Sequence, residues 1–241
     1  MRPTLTLKTD ARPKKLSRSK VEEARQTHGP SFSDQVVTAI KKGILTGRYV
    51  PGQRLIEADL TRGLQVSRPP IREALKRLDA EGIVVISPHR GAYIRALERS
   101  EAVDLLAVLE VTIGLAARLA ATRIGENNKE MLVSAYERLK NKGTNACHVE
   151  RADFYAAIFH IASNHELTRI NPVIQAHILR TQVHAYLSEQ DRRAQFVDYH
   201  PLTKAILAGE AALSERIVRR HLRRSRRQIE QLDEDAFAVS L

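Results

Sequence analysis

The sequence holds a single cysteine, Cys147, in 241 residues. One thiol excludes a disulfide framework within the chain and a four-cysteine zinc site. The expected compartment is therefore a reducing one, the cytoplasm. No apolar run of membrane-spanning length stands out, and the N-terminus lacks the apolar core of a signal peptide, so no membrane partner is expected. Strand signals vanish after Ser100, and no fixed-period repeat runs along the chain. What remains is enough length for two modest domains and a conspicuous charge imbalance.

Lys and Arg number 39 against 28 Asp and Glu, a net +11. Residues 1–30 hold eight Lys/Arg and three acids, and residues 31–95 hold eleven and six, +5 in each stretch. The remaining 146 residues contribute only +1. A basic front and a near-neutral back point to a polyanion meeting the front. Basic tails also serve solubility alone, and a nonspecific architectural basic protein would show the same balance.

Residues 1–30, with Arg2, Lys8, Arg12, Lys14, Lys15, Arg18, Lys20 and Arg25, read as a flexible basic arm. Order is expected from Ser31–Ser33. Phe32, Val36, Ile40 and Ile44 recur at spacing four on one helical face, and Gly47 is a plausible stop. Pro51-Gly52 marks a turn. A short helix is expected over Glu57–Leu64 and another from Pro69 or Pro70 to Gly82. Ile83–Ile86 and Ala92–Ile94 read as two strands around the turn Ser87–Gly91. The pattern predicts a winged helix-turn-helix over 31–98. Helical patterns over 101–124, 127–141, 147–163, 166–188, 194–208 and 210–232 predict an all-α unit over 99–235, with 236–241 a tail. The fold class is mainly α with a small β-hairpin wing.

Two prolines open the helix in QVSRPPIREALKRL, residues 65–78. First-turn amides have no intrahelical partner, so proline costs little there. A residue before proline is pushed away from helical geometry. The pair is thus a start signal that leaves Arg68 and Arg72 at the helix mouth. With Ser67 as N-cap, the prolines remove the amides it would normally cap, which would leave its hydroxyl for a phosphate. In helix-turn-helix docking that end meets base edges in the major groove, and arginine can donate two bonds to guanine. The bland alternative is the solvated face of an ordinary helix.

Leu45-Thr46-Gly47-Arg48-Tyr49-Val50-Pro51-Gly52-Gln53-Arg54-Leu55, Val66-Ser67-Arg68-Pro69-Pro70-Ile71-Arg72-Glu73-Ala74-Leu75, Leu78–Val84 and Arg90-Gly91-Ala92-Tyr93-Ile94 strongly resemble the GntR family of bacterial transcription regulators. The all-helical back half resembles the FadR subfamily with its FCD effector domain. The resemblance covers about residues 31–232. It implies a homodimer on an inverted-repeat DNA operator, controlled by a small-molecule effector and expected to repress. It implies DNA contacts at Arg68, Arg72 and the wing tip at Arg90 and Gly91, and Ser67 and Pro69 at the helix mouth are counted with them as candidate DNA-facing residues. Two departures stand out: Gln65 sits where the family usually has glycine, and Pro69 where it usually has threonine.

Many FCD domains hold a divalent metal with one aspartate and three histidines from three helices. By resemblance the histidines are His160 (in Phe159-His160), His200 and His221. The aspartate is expected one turn before the first histidine, where this chain has Ala156. Asp153 is two turns away, about 10 Å by helix rise. Three imidazoles can still hold zinc, nickel or copper, or can simply be buried neighbours without a metal. The same alignment places Leu109 and Ile113 where the family carries an arginine and a glutamate. With Ala156, this implies a less polar effector pocket, with Arg180 available as a cation. A three-histidine site also keeps open a metal-dependent hydrolase. The arginines of residues 216–227 read as a solvated helix end or as a second DNA or dimer contact. Cys147 is a plain side chain or, less simply, a redox sensor.

Overall fold

The computed structural model describes residues 30–143, 148–170 and 173–237. The basic arm up to residue 29 and Cys147 lie outside the described residues.

Helix α1 spans Phe32–Leu45. Ser31 and Asp34 form a reciprocal capping box at its start. Val36, Ile40 and Ile44 are buried as the spacing predicts, whereas Phe32 is 62% exposed. As the first residue of the helix, it lies beyond the edge of the core. Helix α2 runs Glu57–Leu64 and ends on Gln65, which adopts the left-handed conformation at φ 55°. Helix α3 follows at Arg68–Ala80 and buries Ile71, Ala74, Leu75 and Leu78. Strands β2 (Val84–Ser87) and β3 (Gly91–Ile94) form the wing. A third strand, β1 (Arg54–Leu55), pairs antiparallel with β3 in the order β1-β3-β2. At two residues, β1 is too short to leave a sequence pattern.

The rest is helical. Helix α4 spans Arg99–Arg123, α5 Glu126–Lys142, α6 His148–Ala162, α7 His165–Ile170, α8 Val173–Val183, α9 Glu189–Phe196, α10 Tyr199–Leu207 and α11 Ala211–Glu230. The single helix expected over 166–188 is thus α7 and α8, and the one expected over 194–208 is α9 and α10. Contrary to the sequence reading, α4 is long and apolar enough by length and composition to cross a membrane. In the fold it is the core helix, packed most extensively on α11. Its two central charges are answered there: Arg223 Nε donates to Glu110 at 2.7 Å and Arg118 Nη1 to Glu215 at 3.3 Å. Leu106, Leu109, Ile113, Ala117 and Ala120 are buried beneath them.

Candidate functional site

The mouth of α3 is built as the prolines dictate. Ser67 is its N-cap in extended conformation, and its side chain makes no capping bond. Arg68 is exposed at the first position. Together with Arg54, Glu57, Gly91 and Ala92 it lines one surface groove, so the start of α3 and the root of the wing share a face. Arg72, one turn on, is held by Glu57 of α2, whose two carboxylate oxygens lie 3.1 and 3.2 Å from its Nε. The wing tip turns through His89 at φ 63° and Gly91 at φ 100°, the latter a conformation that favours glycine. Tyr93 donates its hydroxyl to the Arg90 carbonyl at 3.1 Å, bracing the tip. Pro69, also exposed, follows Arg68.

Inside the helical unit, α4, α6, α8 and α11 enclose a cavity of about 50 Å³. That is several times the space one water needs. Leu109, Ile113 and Arg180 line it, beside Tyr155, His177 and His221. Ala156 does not. With Asp153 and His160 it lies on the outer stripe of α6, in a groove against Met131 and Arg138 of α5. The stripe 153, 156, 160 is exposed while Arg151, Phe154, Tyr155 and Ile158 point inward.

The expected histidine trio is not assembled. His160 is exposed on that outer stripe. His200 is exposed on α10, its Nδ1 3.0 Å from the Tyr136 hydroxyl. Only His221 is interior, 5% exposed, with Nδ1 3.4 Å from Asp198. Among the described residues no group of three His, Cys, Asp or Glu side chains is placed to hold a metal. The helical phase explains the correction. The inward Phe-x pair of α6 is Phe154-Tyr155, not Phe159-His160, and the residue one turn earlier is Arg151. On α10 the inward residue is Tyr199, the neighbour of His200. An arginine and two tyrosines thus occupy the interior places where an aspartate and two histidines were expected, and a guanidinium repels a metal ion. These residues do not fit the metal, and a metal-dependent hydrolase is not supported.

The interior cluster that sequence reasoning missed is tightly knit. Arg151, 4% exposed, donates from Nη1 to the Tyr199 hydroxyl at 3.0 Å. Tyr199 packs edge-on to Phe154 at 5.3 Å between ring centroids and stands 5.5 Å from His221 and 6.1 Å from Tyr155. Burial opposes ionisation of Tyr199, but the charges of Arg151 and Arg180 and bonds from Tyr155 and Arg151 hold its hydroxyl below the usual tyrosine range. Tyr155 is pushed well above that range by burial and by the neighbouring Tyr199. Burial lowers Arg180 and also His221, against the pull of Asp198. Asp198 itself anchors α10 to α11. Arg220 reaches it at 3.0 Å, Arg224 pairs with its other oxygen, and despite burial these charges and His221 hold its pKa at about 2. The arginine run of α11 is therefore largely spent on ion pairs, through Arg219, Arg220, Arg223, Arg224 and Arg226.

Helix α8 joins the two units. His177 lines the cavity, and its Nε2 lies 2.8 Å from the carbonyl of Ile44 at the end of α1. Gln175 donates to the Glu81 carbonyl after α3 at 2.7 Å, and Ile178 is buried in the core of the N-terminal unit. Gln182 exchanges two bonds with the backbone of Leu97, at 2.9 and 2.8 Å. Burial pushes His177 down to about 4, so the ring is neutral at physiological pH. The clue in the sequence was a lone histidine in an apolar helix, which a core residue shows equally well.

Comparison with known proteins accords with these units. The model of the bacterial regulatory proteins of the gntR family matches residues 32–94, and that of the FCD domain matches residues 101–224. The HTH-type transcriptional regulator Rv0494 of Mycobacterium tuberculosis is 27% identical over 212 residues, covering 80% of this chain and 87% of that protein. A second regulator of that organism, Rv0043c, is 39% identical over 100 residues, covering 42% of this chain but only 39% of its own length. Among solved structures, Escherichia coli McbR/YncC superposes with a TM-score of 0.71 at 19% identity, covering 83% of this chain and 98% of that one. A GntR regulator of Rhodococcus sp. RHA1 superposes at 0.65 and 20% identity, covering 82% and 97%. The chain belongs to the gntR family of bacterial regulatory proteins and carries an FCD domain behind its winged helix-turn-helix.

Proposed function

We propose that the chain is a sequence-specific transcription regulator of the cytoplasm that binds an inverted-repeat operator as a homodimer. A small molecule in the cavity between α4, α6, α8 and α11 sets its operator affinity, and binding releases the DNA. The observation that carries the reading is the shared face of Arg68 and the wing. Arg68 sits at the open end of α3, where an arginine can reach guanine edges in the major groove. Gly91, across the same groove, lets the wing backbone approach a phosphate. Ser67, with no capping bond to lose, can donate to the DNA backbone. Arg72 enters contact by exchanging Glu57 for DNA, or acts through that carboxylate. Arg90 and Pro69 flank the same face.

The dimer reading rests on α4. Val108, Val111 and Leu115 are 54, 53 and 39% exposed at helical spacing, an apolar stripe that a second copy would cover. The control reading rests on α8. A ligand that displaces His177 or Arg180 pulls on the helix that carries Ile178 and the bond to Ile44. Two recognition helices in a dimer would then lose their operator spacing. No metal takes part in this reading, because an arginine and two tyrosines stand in three of the four interior places where its ligands were expected, leaving His221 alone.

Operator sequences selected from a random duplex library test it, followed by competition against scrambled DNA at physiological salt. The expected preference is at least about a thousandfold. Equal affinity for both, fading together as salt rises, would instead mark a nonspecific basic protein.

A further inference from the structure

Besides Arg68, the groove between the mouth of α3 and the root of the wing holds a second arginine, Arg54. It is exposed on β1, opposite Tyr93 of β3. Its guanidinium is laid across the wing root: a Cβ on Gly91 would stand 3.4 Å from its Nε and 3.5 Å from its Nη2. Glycine leaves that bed open, and a side chain longer than a methyl would push the guanidinium away. The one acid lining the groove is Glu57, and both its oxygens already face Nε of Arg72. Among the described residues no carboxylate pairs with Arg54 or with Arg68. The groove thus carries two uncompensated guanidiniums, one at the helix mouth and one at the wing root.

Resting on the regulator reading above, we propose that Arg54 is a phosphate clamp, which grips the DNA backbone at the edge of the major groove while Arg68 reads bases within it. Arg68 stands at the first position of the helix whose N-terminal end meets the bases. Arg54 stands on a strand beside that helix, and the major groove is only about 12 Å wide. An element flanking a helix seated in that groove therefore meets its sugar-phosphate wall. Of the two residues of β1, Leu55 is buried, so the arginine is the strand's one outward side chain. A guanidinium presents a planar fork that matches two phosphate oxygens. Resting on bare glycine backbone, it can reach them with no side chain in between. The pairing of Arg54 with Tyr93 and of Leu55 with Ala92 fixes the clamp to the wing. Phosphate contacts set register and orientation and carry no sequence information, whereas base contacts specify. The two arginines of one groove divide the work in that way.

The test is fluorescence anisotropy of the full chain on a selected operator and on a scrambled duplex of equal length, over a series of salt concentrations. Arg54→Gln should weaken binding to both duplexes by the same factor, roughly tenfold at physiological salt. The slope of log affinity against log salt should become shallower by about 0.9, the counterion release of one phosphate. Arg54→Lys should keep the wild-type slope, because the charge remains, and recover only part of the affinity, because the fork is gone. A loss confined to the operator would make Arg54 a base contact and overturn the clamp. An unchanged slope in Arg54→Gln would overturn it as well. The wild-type protein separates this proposal from the reading beneath it. Operator preference in the wild type, with an unchanged slope in Arg54→Gln, sinks the clamp and leaves the regulator standing. No preference in the wild type, with the shallower slope in Arg54→Gln, leaves the clamp and removes the sequence-specific regulator. Binding to neither duplex overturns both.

Discussion

The two units handle polar groups in opposite ways. The core of the winged unit is wholly apolar, from Val36 to Ile94, and its charges stand outside, as in the pair of Arg72 and Glu57 with side chains 62 and 37% exposed. Of the ten buried polar residues among those described, only Ser33 belongs to it. The other nine, Arg151, His177, Asp198 and His221 among them, lie in the helical unit. A unit that spends its cations on the surface is suited to a polyanion outside. A unit that carries them inward is suited to a small ligand within. The difference in charge placement therefore assigns the two partners to the two units.

The comparison is broken most severely at Asp198. Replacing it with asparagine leaves Arg220, Arg224 and His221 facing a neutral group. The expected cost is about 3–5 kcal/mol, as for breaking a buried pair, read as a fall in the denaturation midpoint. The pH dependence follows from the sign. The folded carboxyl sits at about 2, below its ordinary value of 3.8. Its contribution is complete above about 4 and is lost as pH falls toward 2. Asparagine should remove that portion of the acid sensitivity.

His177 tests the connection between the units. Its folded pKa of about 4 lies below the ordinary 6.5. A neutral ring favoured by folding contributes fully above 6.5, and the contribution is lost as pH falls from there to 4. His177→Ala leaves the Ile44 carbonyl without this partner at a cost of about 1–3 kcal/mol. It should also flatten the decline of stability below pH 6.5. An unchanged pH profile in that variant would mean that the ring does not stay neutral at this junction.

A smaller effect sharpens the winged side. Gln65 holds a left-handed conformation at the end of α2, which costs an ordinary residue about 1–2 kcal/mol. Gln65→Gly should raise stability by about 1 kcal/mol and leave operator affinity unchanged. A loss of stability would show that the glutamine side chain contributes more than its backbone costs.

The winged unit was legible in the sequence because its signals are local. Proline fixes the start of α3, Pro51-Gly52 and Gly82 fix turns, and Val36, Ile40 and Ile44 fix a face. The interior of the helical unit was not, because its signals are ambiguous in phase. Helix α6 carries Phe154, Tyr155 and Phe159 on several sides, so its hydrophobicity gives no clear phase. Phe159-His160 and Phe154-Tyr155 then offer the same short pattern five residues apart. Choosing the first put His160 and Ala156 inside, where the fold has Arg151 and Tyr155. A one-residue ambiguity did the same for His200 and Tyr199 on α10. The ties of His177 to Ile44 and of Asp198 to Arg224 join residues far apart in the chain, and spacing alone does not reveal them.

The most direct test of the account is the affinity of Arg68→Ala for a selected operator and for scrambled DNA at one physiological salt concentration. Stability should be unchanged, operator affinity should fall by about 1–3 kcal/mol, and affinity for scrambled DNA should barely move. Arg72→Ala, already engaged by Glu57, should lose less. Equal losses on both DNAs would reduce Arg68 to a phosphate contact and contradict the placement of the recognition end at the mouth of α3.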